Sequence, residues 1–358
     1  MVDAVMVAET LEAFASRPLN AAPRTLARNG LIVTRTPLRI SFAGGGTDLP
    51  AFYLRHAGAV LSTTIDKYVY VTVKRHDSIF GSPIRLNYSE TEQVNRVEEI
   101  RNDIARACFE FLGAEPPIYM STVADLPAAS GMGSSSAFCV GLLHALHAWR
   151  GEHPSAGQLA EEAAHVEINM LRRPIGKQDQ YAAAYGGFNL LRFLPTGGVS
   201  VESQQLESAA RMRLFDHLMM FWTGVMRDAA EVLAEQSANI EWRIAELSAL
   251  RDQAESLQSG FCNRFCMAEF GKALDAGWQL KRRLASTISN PSIDAWYERA
   301  RAAGAWGGKL CGAGGGGFFL FVAPPERRQR VRAALPELCE VPVQYESQGS
   351  RLLTAHLE

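Results

Sequence analysis

Apolar and polar residues alternate from Leu31 to Phe42, in a stretch rich in Ile, Val and Thr. That two-residue period predicts a strand. The strand runs into the turn Gly44-Gly45-Gly46. A second β-rich run covers 59–75, with Tyr68 to Val73 at its heart, and Arg85 to Tyr88 reads as a short partner strand. Over 94–112 the period lengthens: Val97, Ile100, Ile104 and Cys108 recur at helical spacing. Ile118 to Val123 reads as a strand, Ala137 to Trp149 as an apolar helix, and Ser155 to Leu171 as a second helix capped by Ser155. Strands follow at Phe188 to Phe193 and Met212 to Thr223.

Beyond Asp228 the pattern changes. Glu, Arg, Ala and Leu dominate to about Ser286, with Ile240, Ile244, Leu247 and Leu250 at helical spacing. Further helices are expected at 291–304 and 327–335. A glycine turn feeds a strand at Phe318 to Val322, and a last strand near 341–345 closes the chain. Helices and strands mix without a regular βαβ beat. The expectation is an α+β fold in two domains, 31–205 and a helix-rich 206–358, preceded by an extension at 1–30.

Composition narrows the partners. The chain has 358 residues, 47% hydrophobic and 21% charged, with net charge −2. No overall field draws it to nucleic acid or an anionic membrane, so an anionic ligand must be met by a local cluster. The apolar runs are too short to span a bilayer. Residues 1–30 carry Asp3 and Glu9 and no basic leader region, so they read as a short helix or loose arm rather than a signal peptide. Cys262 and Cys266 stand four apart, but no second pair or nearby His completes a zinc site. Reduced thiols in a cytoplasmic protein are the expectation.

The segment Leu126-Pro127-Ala128-Ala129-Ser130-Gly131-Met132-Gly133-Ser134-Ser135-Ser136-Ala137 is the candidate for chemistry. Glycines let backbone approach a ligand closely. A turn feeding a helix presents unpaired N–H groups, and the helix dipole favours negative charge there. Serine hydroxyls add neutral donors and can ligate Mg²⁺. The bland alternative is a small-residue loop needed for tight packing. A P-loop motif is absent, and Gly312-Ala313-Gly314-Gly315-Gly316-Gly317 precedes a strand, which is the wrong context for a dinucleotide fold.

Three ordered segments now carry a resemblance: Arg35 to Asp48, Pro127 to Ala137, and Lys309 to Phe318. Together they resemble the GHMP small-molecule kinases over about 31–322. Within that family the wording of Phe42 to Pro50, and of Pro174 to Gly187, is similar to bacterial kinases acting on D-glycero-D-manno-heptose 7-phosphate. The fucokinase domain shares parts of it. The resemblance implies an N-terminal ATP-binding domain and a C-terminal domain of the family, with ATP and Mg²⁺. It implies transfer to the anomeric hydroxyl of the heptose, on the way to nucleotide-activated heptose for surface polysaccharide. It also leaves open a kinase of L-fucose or galactose type, or a sugar sensor of this fold that does not turn over.

The resemblance assigns roles residue by residue. Gly131, Gly133, Ser134, Ser135 and Ser136 would hold the ATP phosphates, with Ser135 and Glu167 as the metal pair. Asp179 would be the base, and Arg39 its partner and a stabiliser of transferred charge. Gly45, Gly46, Thr47 and Asp48 would hold the sugar, with Gly312 and Gly314 permitting close backbone approach. A phosphate on the acceptor would need a cationic clamp. Arg172, Arg173, Lys177, Lys309 and Arg227 are the candidates, by position near the motif segments. Exposed faces of the 228–286 helices leave a homodimer open.

Overall fold

The computed structural model describes residues 30–356, apart from 77, 78, 80, 227, 228 and 263–265. The expected extension at 1–30, all but Gly30, and the clamp candidate Arg227 therefore lie outside the described residues.

Two sheets carry the molecule. The strands are β1 (Leu31–Ala43), β2 (Gly58–Arg75), β3 (Ile84–Asn87), β4 (Thr91–Val94), β5 (Ile118–Ala124), β6 (Phe188–Phe193) and β7 (Val199–Ser203). They continue with β8 (Leu218–Trp222), β9 (Gly307–Leu310), β10 (Phe318–Val322), β11 (Cys339–Glu340) and β12 (Arg351–His356). The first sheet runs β12-β1-β2-β5-β3-β4, with β6 and β7 branching from β2. The branch exists because β2 is long: Gly58 to Thr63 pairs with β6, and Val69 to Arg75 pairs with β5. The second sheet, β11-β8-β10-β9, is antiparallel throughout.

The alternation in β1 holds only at its start. From Thr36 onward every residue is buried, because the strand is covered on both faces. One cover is the Ser134–Trp149 helix, which is apolar on nearly all sides and buried accordingly. The other comes from the second half of the chain, whose Ile244–Cys262 and Met267–Lys281 helices lie against β1. Phe42 meets Phe270 edge-on at 5.2 Å between ring centroids. The main apolar core thus runs through both halves, while a second core around Phe221, Phe319, Phe321 and Trp278 fills the rest.

Three expectations are corrected. The segment from Met212 is not strand throughout: Ser208–His217 is a helix, and only Leu218–Trp222 is extended. One turn of apolar burial, Leu214 and Phe215, was too short a signal to show the helical period. The helix expected from Ser155 to Leu171 divides into α-helix at Ala156–Ala164 and a wider π turn at His165–Met170. Ser155 does cap it, accepting the Gln158 N–H at 3.1 Å. Finally, Tyr345 contributes an isolated bridge, and the closing strand is β12, which pairs with β1. The chain thus returns to the first sheet at its end.

Candidate active site

Between the two halves lies a cleft of about 480 Å³, a volume suited to a small ligand. The Ser-Gly loop forms one wall. Gly131 and Gly133 sit at φ +80° and +77°, where a side chain is strained. A Cβ on Gly131 would also stand 2.7 Å from the Cys311 carbonyl oxygen, so the third motif is packed backbone against backbone on this loop. The Ser134–Trp149 helix begins earlier than the apolar pattern suggested. Its first serines do not compete with the backbone, because Ser135 and Ser136 direct their hydroxyls elsewhere. The first N–H groups of the helix, without intrahelical acceptors, stand at the cleft wall.

Those hydroxyls go to Glu167. Ser135 donates to one carboxylate oxygen at 2.8 Å and Ser136 to the other at 2.6 Å. Gln180 Nε2 donates at 2.7 Å, and Arg173 Nη1 at 3.4 Å. The π turn aims Glu167 inward; such turns recur at functional sites. Burial, opposed by these donors, raises the Glu167 pKa. Ser135 remains exposed, at the open end. A neutral hydroxyl and a carboxylate side by side are hard oxygen donors, and the pair fits Mg²⁺, which takes few protein ligands. No group of three or more His, Cys, Asp or Glu side chains suited to a metal exists among the described residues.

Arg39 crosses the floor. Its backbone N–H donates to the Met132 carbonyl at 3.2 Å, and Nη1 donates to the Gly131 carbonyl at 2.7 Å. Its Nε and Nη2 both reach Asp179 Oδ1, at 2.8 and 2.6 Å. Asp179 stands in the first turn of the Gln178–Tyr185 helix. One buried arginine thus fixes the loop and the expected base together.

Asp48 lines the same cleft. Its Oδ1 accepts the Gly46 N–H at 3.0 Å and its Oδ2 accepts the Gln178 N–H at 3.3 Å. It therefore ties the first glycine turn to the helix of Asp179, keeping further lone pairs for a ligand. Burial, and then the charge of Asp179, raise its pKa.

Residues 95–187 match the model of the GHMP kinases N terminal domain, and residues 257–341 that of the GHMP kinases C terminal. The chain belongs to the GHMP kinase family. It is 29% identical over 318 residues to D-glycero-alpha-D-manno-heptose 7-phosphate kinase of Campylobacter jejuni, covering 85% of this chain and 93% of that protein. It is 26% identical to L-fucokinase/L-fucose-1-P guanylyltransferase of Bacteroides fragilis, over 85% of this chain but 36% of that longer protein. Its fold is similar to a crystal structure of a D-glycero-D-manno-heptose 1-phosphate kinase from Bacteroides thetaiotaomicron, with TM-score 0.75 and 24% identity, over 91% of this chain and 99% of the other.

The GHMP cleft gathers most residues expected of it: Arg39, Gly45, Gly46, Asp48, Gly131, Gly133, Ser134, Ser135, Ser136, Glu167, Asp179 and Gly312 all line it. Three do not. Thr47 is fully buried, and its hydroxyl donates to Gly44 O and Ala59 O and accepts from Ala59 N, so it pins the turn. Gly314 lies against Ile288, where a Cβ would stand 2.8 Å from its Cα. Lys177 turns away to the Glu161 carboxylate at 3.1 Å and the Gly197 carbonyl at 3.0 Å. Of the other clamp candidates, Arg172 is exposed and outside the cleft lining. Arg173 is held by Asp103 at 3.0 Å to both oxygens and donates to Ser135 at 2.8 Å, while Lys309 is buried and lines the cleft.

Sequence reasoning missed Asp103, Gln236 and Lys281, which also line it. Lys281 did leave a signal. It falls on the buried stripe Met267, Phe270, Leu274, Trp278, and a lysine on an apolar face needs a reason.

Proposed function

We propose that this GHMP kinase transfers the γ-phosphoryl group of ATP to the anomeric hydroxyl of D-glycero-D-manno-heptose 7-phosphate, giving the 1,7-bisphosphate and ADP. The observation that carries the kinase reading is the Arg39–Asp179 pair held against a glycine-rich helix N-terminus. The choice of acceptor is supported by the likeness to the Campylobacter jejuni kinase over most of both chains.

Phosphoryl transfer asks chiefly for positioning and charge neutralisation. The first turn of the Ser134–Trp149 helix offers N–H groups and a positive dipole end to the nucleotide phosphates. Asp179 Oδ2, free of Arg39, accepts the proton of the anomeric hydroxyl. The sugar oxygen forms its bond to the γ-phosphorus as the bond to the bridging oxygen of ADP breaks. Arg39 stabilises the charge on the transferred group and keeps the carboxylate oriented. Asp48, beside Gly45 and Gly46, accepts hydroxyl hydrogens of the sugar. Ser135 and Glu167 would hold Mg²⁺, which supplies charge neutralisation on the phosphate oxygens.

The test is ADP release over a panel of heptose 7-phosphate, L-fucose and galactose, with ³¹P NMR of the product. Heptose 7-phosphate is expected to give the highest kcat/KM and a new anomeric phosphate signal. Faster turnover of free fucose or galactose would replace this acceptor with the one preferred. Absence of ADP with every sugar would remove the kinase reading.

A further inference from the structure

A second set of donors lines the same cleft. Lys281, closing the Met267–Lys281 helix, donates to the Gly312 carbonyl. Lys309, on β9, donates to the carbonyls of Ser41 at 2.7 Å and Phe42 at 3.3 Å. Two ammonium groups carry six N–H bonds, and these three are the ones with protein acceptors among the described residues. Neither lysine has a carboxylate at ion-pair distance among the described residues, and Asp48 and Asp179 act on Lys281 only from farther off.

Two neutral donors join them. The Ser41 hydroxyl and Gln236 Nε2 are buried, line the same cleft and lack any hydrogen-bond partner among the described residues. The four side chains are only 2–7% exposed as residues. Three of them converge on one turn, and Lys309 sits against the β1 residues that lead into it. A Cβ on Gly45 would stand 3.8 Å from Ser41 Oγ and 3.9 Å from Lys281 Nζ, and a Cβ on Gly46 would overlap Gln236 Nε2. They come from β1, the Ala229–Ala238 helix, the Met267–Lys281 helix and β9.

Buried donors left unmade and buried cations left unpaired both cost stability. Core packing gives no reason to gather four of them around one glycine turn. An anion with several acceptor oxygens gives one. The nucleotide phosphates already have the helix N-terminus and the Ser135–Glu167 end.

We propose that Ser41, Gln236, Lys281 and Lys309 form a pocket for a phosphate monoester carried by the acceptor. The inference rests on the kinase reading and extends it: the cleft selects a phosphorylated sugar over the free one. A free sugar would leave the two buried lysines without an anion to hold their charge and without acceptors for their remaining N–H bonds. The phosphate dianion supplies that charge and the missing acceptors.

The test compares heptose 7-phosphate with free heptose in the wild-type chain and in Lys281→Met and Lys309→Met. The ratio of kcat/KM values, phosphorylated over free, is expected to fall by about 30-fold in each variant, the loss of one charged hydrogen bond. The fall should lie in the KM of the phosphorylated acceptor. Equal losses with both acceptors would mean that the lysines serve the transferred phosphoryl group, and would overturn the proposal. Calorimetry with inorganic phosphate is the second measurement and does not depend on the acceptor being heptose. The wild type, with AMPPNP bound, should take one phosphate that Ser41→Ala and Gln236→Leu weaken. If AMPPNP displaces the phosphate, or the wild type binds none, the pocket is refuted. If the phosphate pocket behaves as expected but heptose 7-phosphate is not phosphorylated, the choice of sugar fails and the pocket stands.

Discussion

Replacing Asp179 by Asn separates proton acceptance from structure. Both Arg39 bonds end on Oδ1, at 2.8 and 2.6 Å. Oδ2 lies toward Gly133, 3.4 Å from where a Cβ on that residue would stand. The Asn carbonyl can take the place of Oδ1 and keep both donors, while its NH₂ replaces Oδ2 and accepts no proton. The structural loss is the charge of the pair, roughly 1–2 kcal/mol between a charged and a neutral hydrogen bond. The Asp179 side chain is 25% exposed, so screening brings this toward about 1 kcal/mol. Asp179→Ala differs, because it strands a guanidinium whose side chain is only 5% exposed. Unpairing a buried charge costs about 3–5 kcal/mol, less here because Nη1 keeps the Gly131 carbonyl.

The rate should respond differently. Both variants delete the proposed base, so both should lose roughly 10²–10⁴-fold in kcat. The assay is ADP release at saturating ATP and acceptor, with melting temperatures measured alongside. The expected pattern is equal loss of rate with unequal loss of stability, Ala well below Asn. An Asn variant keeping more than about a tenth of wild-type kcat would refute proton acceptance by Asp179. Equal melting temperatures would refute the account of Arg39.

Gly131→Ala should unfold the loop docking, since φ +80° and the nearby Cys311 carbonyl both oppose a Cβ; a stability loss of about 1–3 kcal/mol in denaturant titration is expected. Burial disfavours the charged form of His147, but hydrogen bonds and charge from Glu162 and Glu152, each at 2.6 Å, outweigh it and raise its pKa. The stabilisation is therefore full below the unfolded value and fades as pH rises through the raised folded value, so the melting gap between wild type and His147→Gln should shrink from pH 6 to 9. Burial, then the neighbouring charge of Lys281, push the Lys309 pKa down to about 7, with Arg39 acting in the same direction and Cys311 against it. Between pH 7 and the ordinary lysine range the unfolded chain binds a proton that the folded chain does not. Wild type should accordingly gain stability relative to Lys309→Met as pH rises across that window, and a flat difference would contradict the burial of this charge.

How far the sequence shows the site depends on the distance over which each part is determined. β1, the glycine turn and the Ser-Gly loop are local patterns, and their chemistry could be read from composition and spacing. Ser135, Glu167, Arg39 and Asp179 needed the resemblance as well, because their juxtaposition spans 140 residues between Arg39 and Asp179. Proximity to a motif does not fix where a side chain points: Lys177 precedes Asp179 by two residues yet faces Glu161, since a helix start turns successive side chains in different directions, whereas Lys309 of the third motif lines the cleft. Gln236 and Asp103 carried no local signal, being polar residues on helices that have exposed faces. The π turn at Glu167 was hidden for a similar reason, as one added residue per turn leaves the apolar pattern almost unchanged.

The order of charges along the cleft gives these parts one logic. A chain of net charge −2 has no general attraction for polyanions, so its cations must be local. Arg39, Lys281 and Lys309 stand inside the cleft, and Asp48, Asp179 and Glu167 stand among them. Arg39 has a close carboxylate partner, the candidate base Asp179, and Arg173, also in the lining, is held by Asp103 and Glu167. Glu167 is met by hydroxyls and an amide as well as by Arg173, an arrangement that leaves oxygen donors available for a cation. The lysines are met by carbonyls, which leaves positive charge available for an anion. Lysines met only by carbonyls, and an Asp179 held through one oxygen by Arg39, suit the proposed transfer from a bound nucleotide to a hydroxyl of a bound sugar phosphate. Groups that bind substrates must exchange ligands at each turnover, while the proposed base must hold one position throughout.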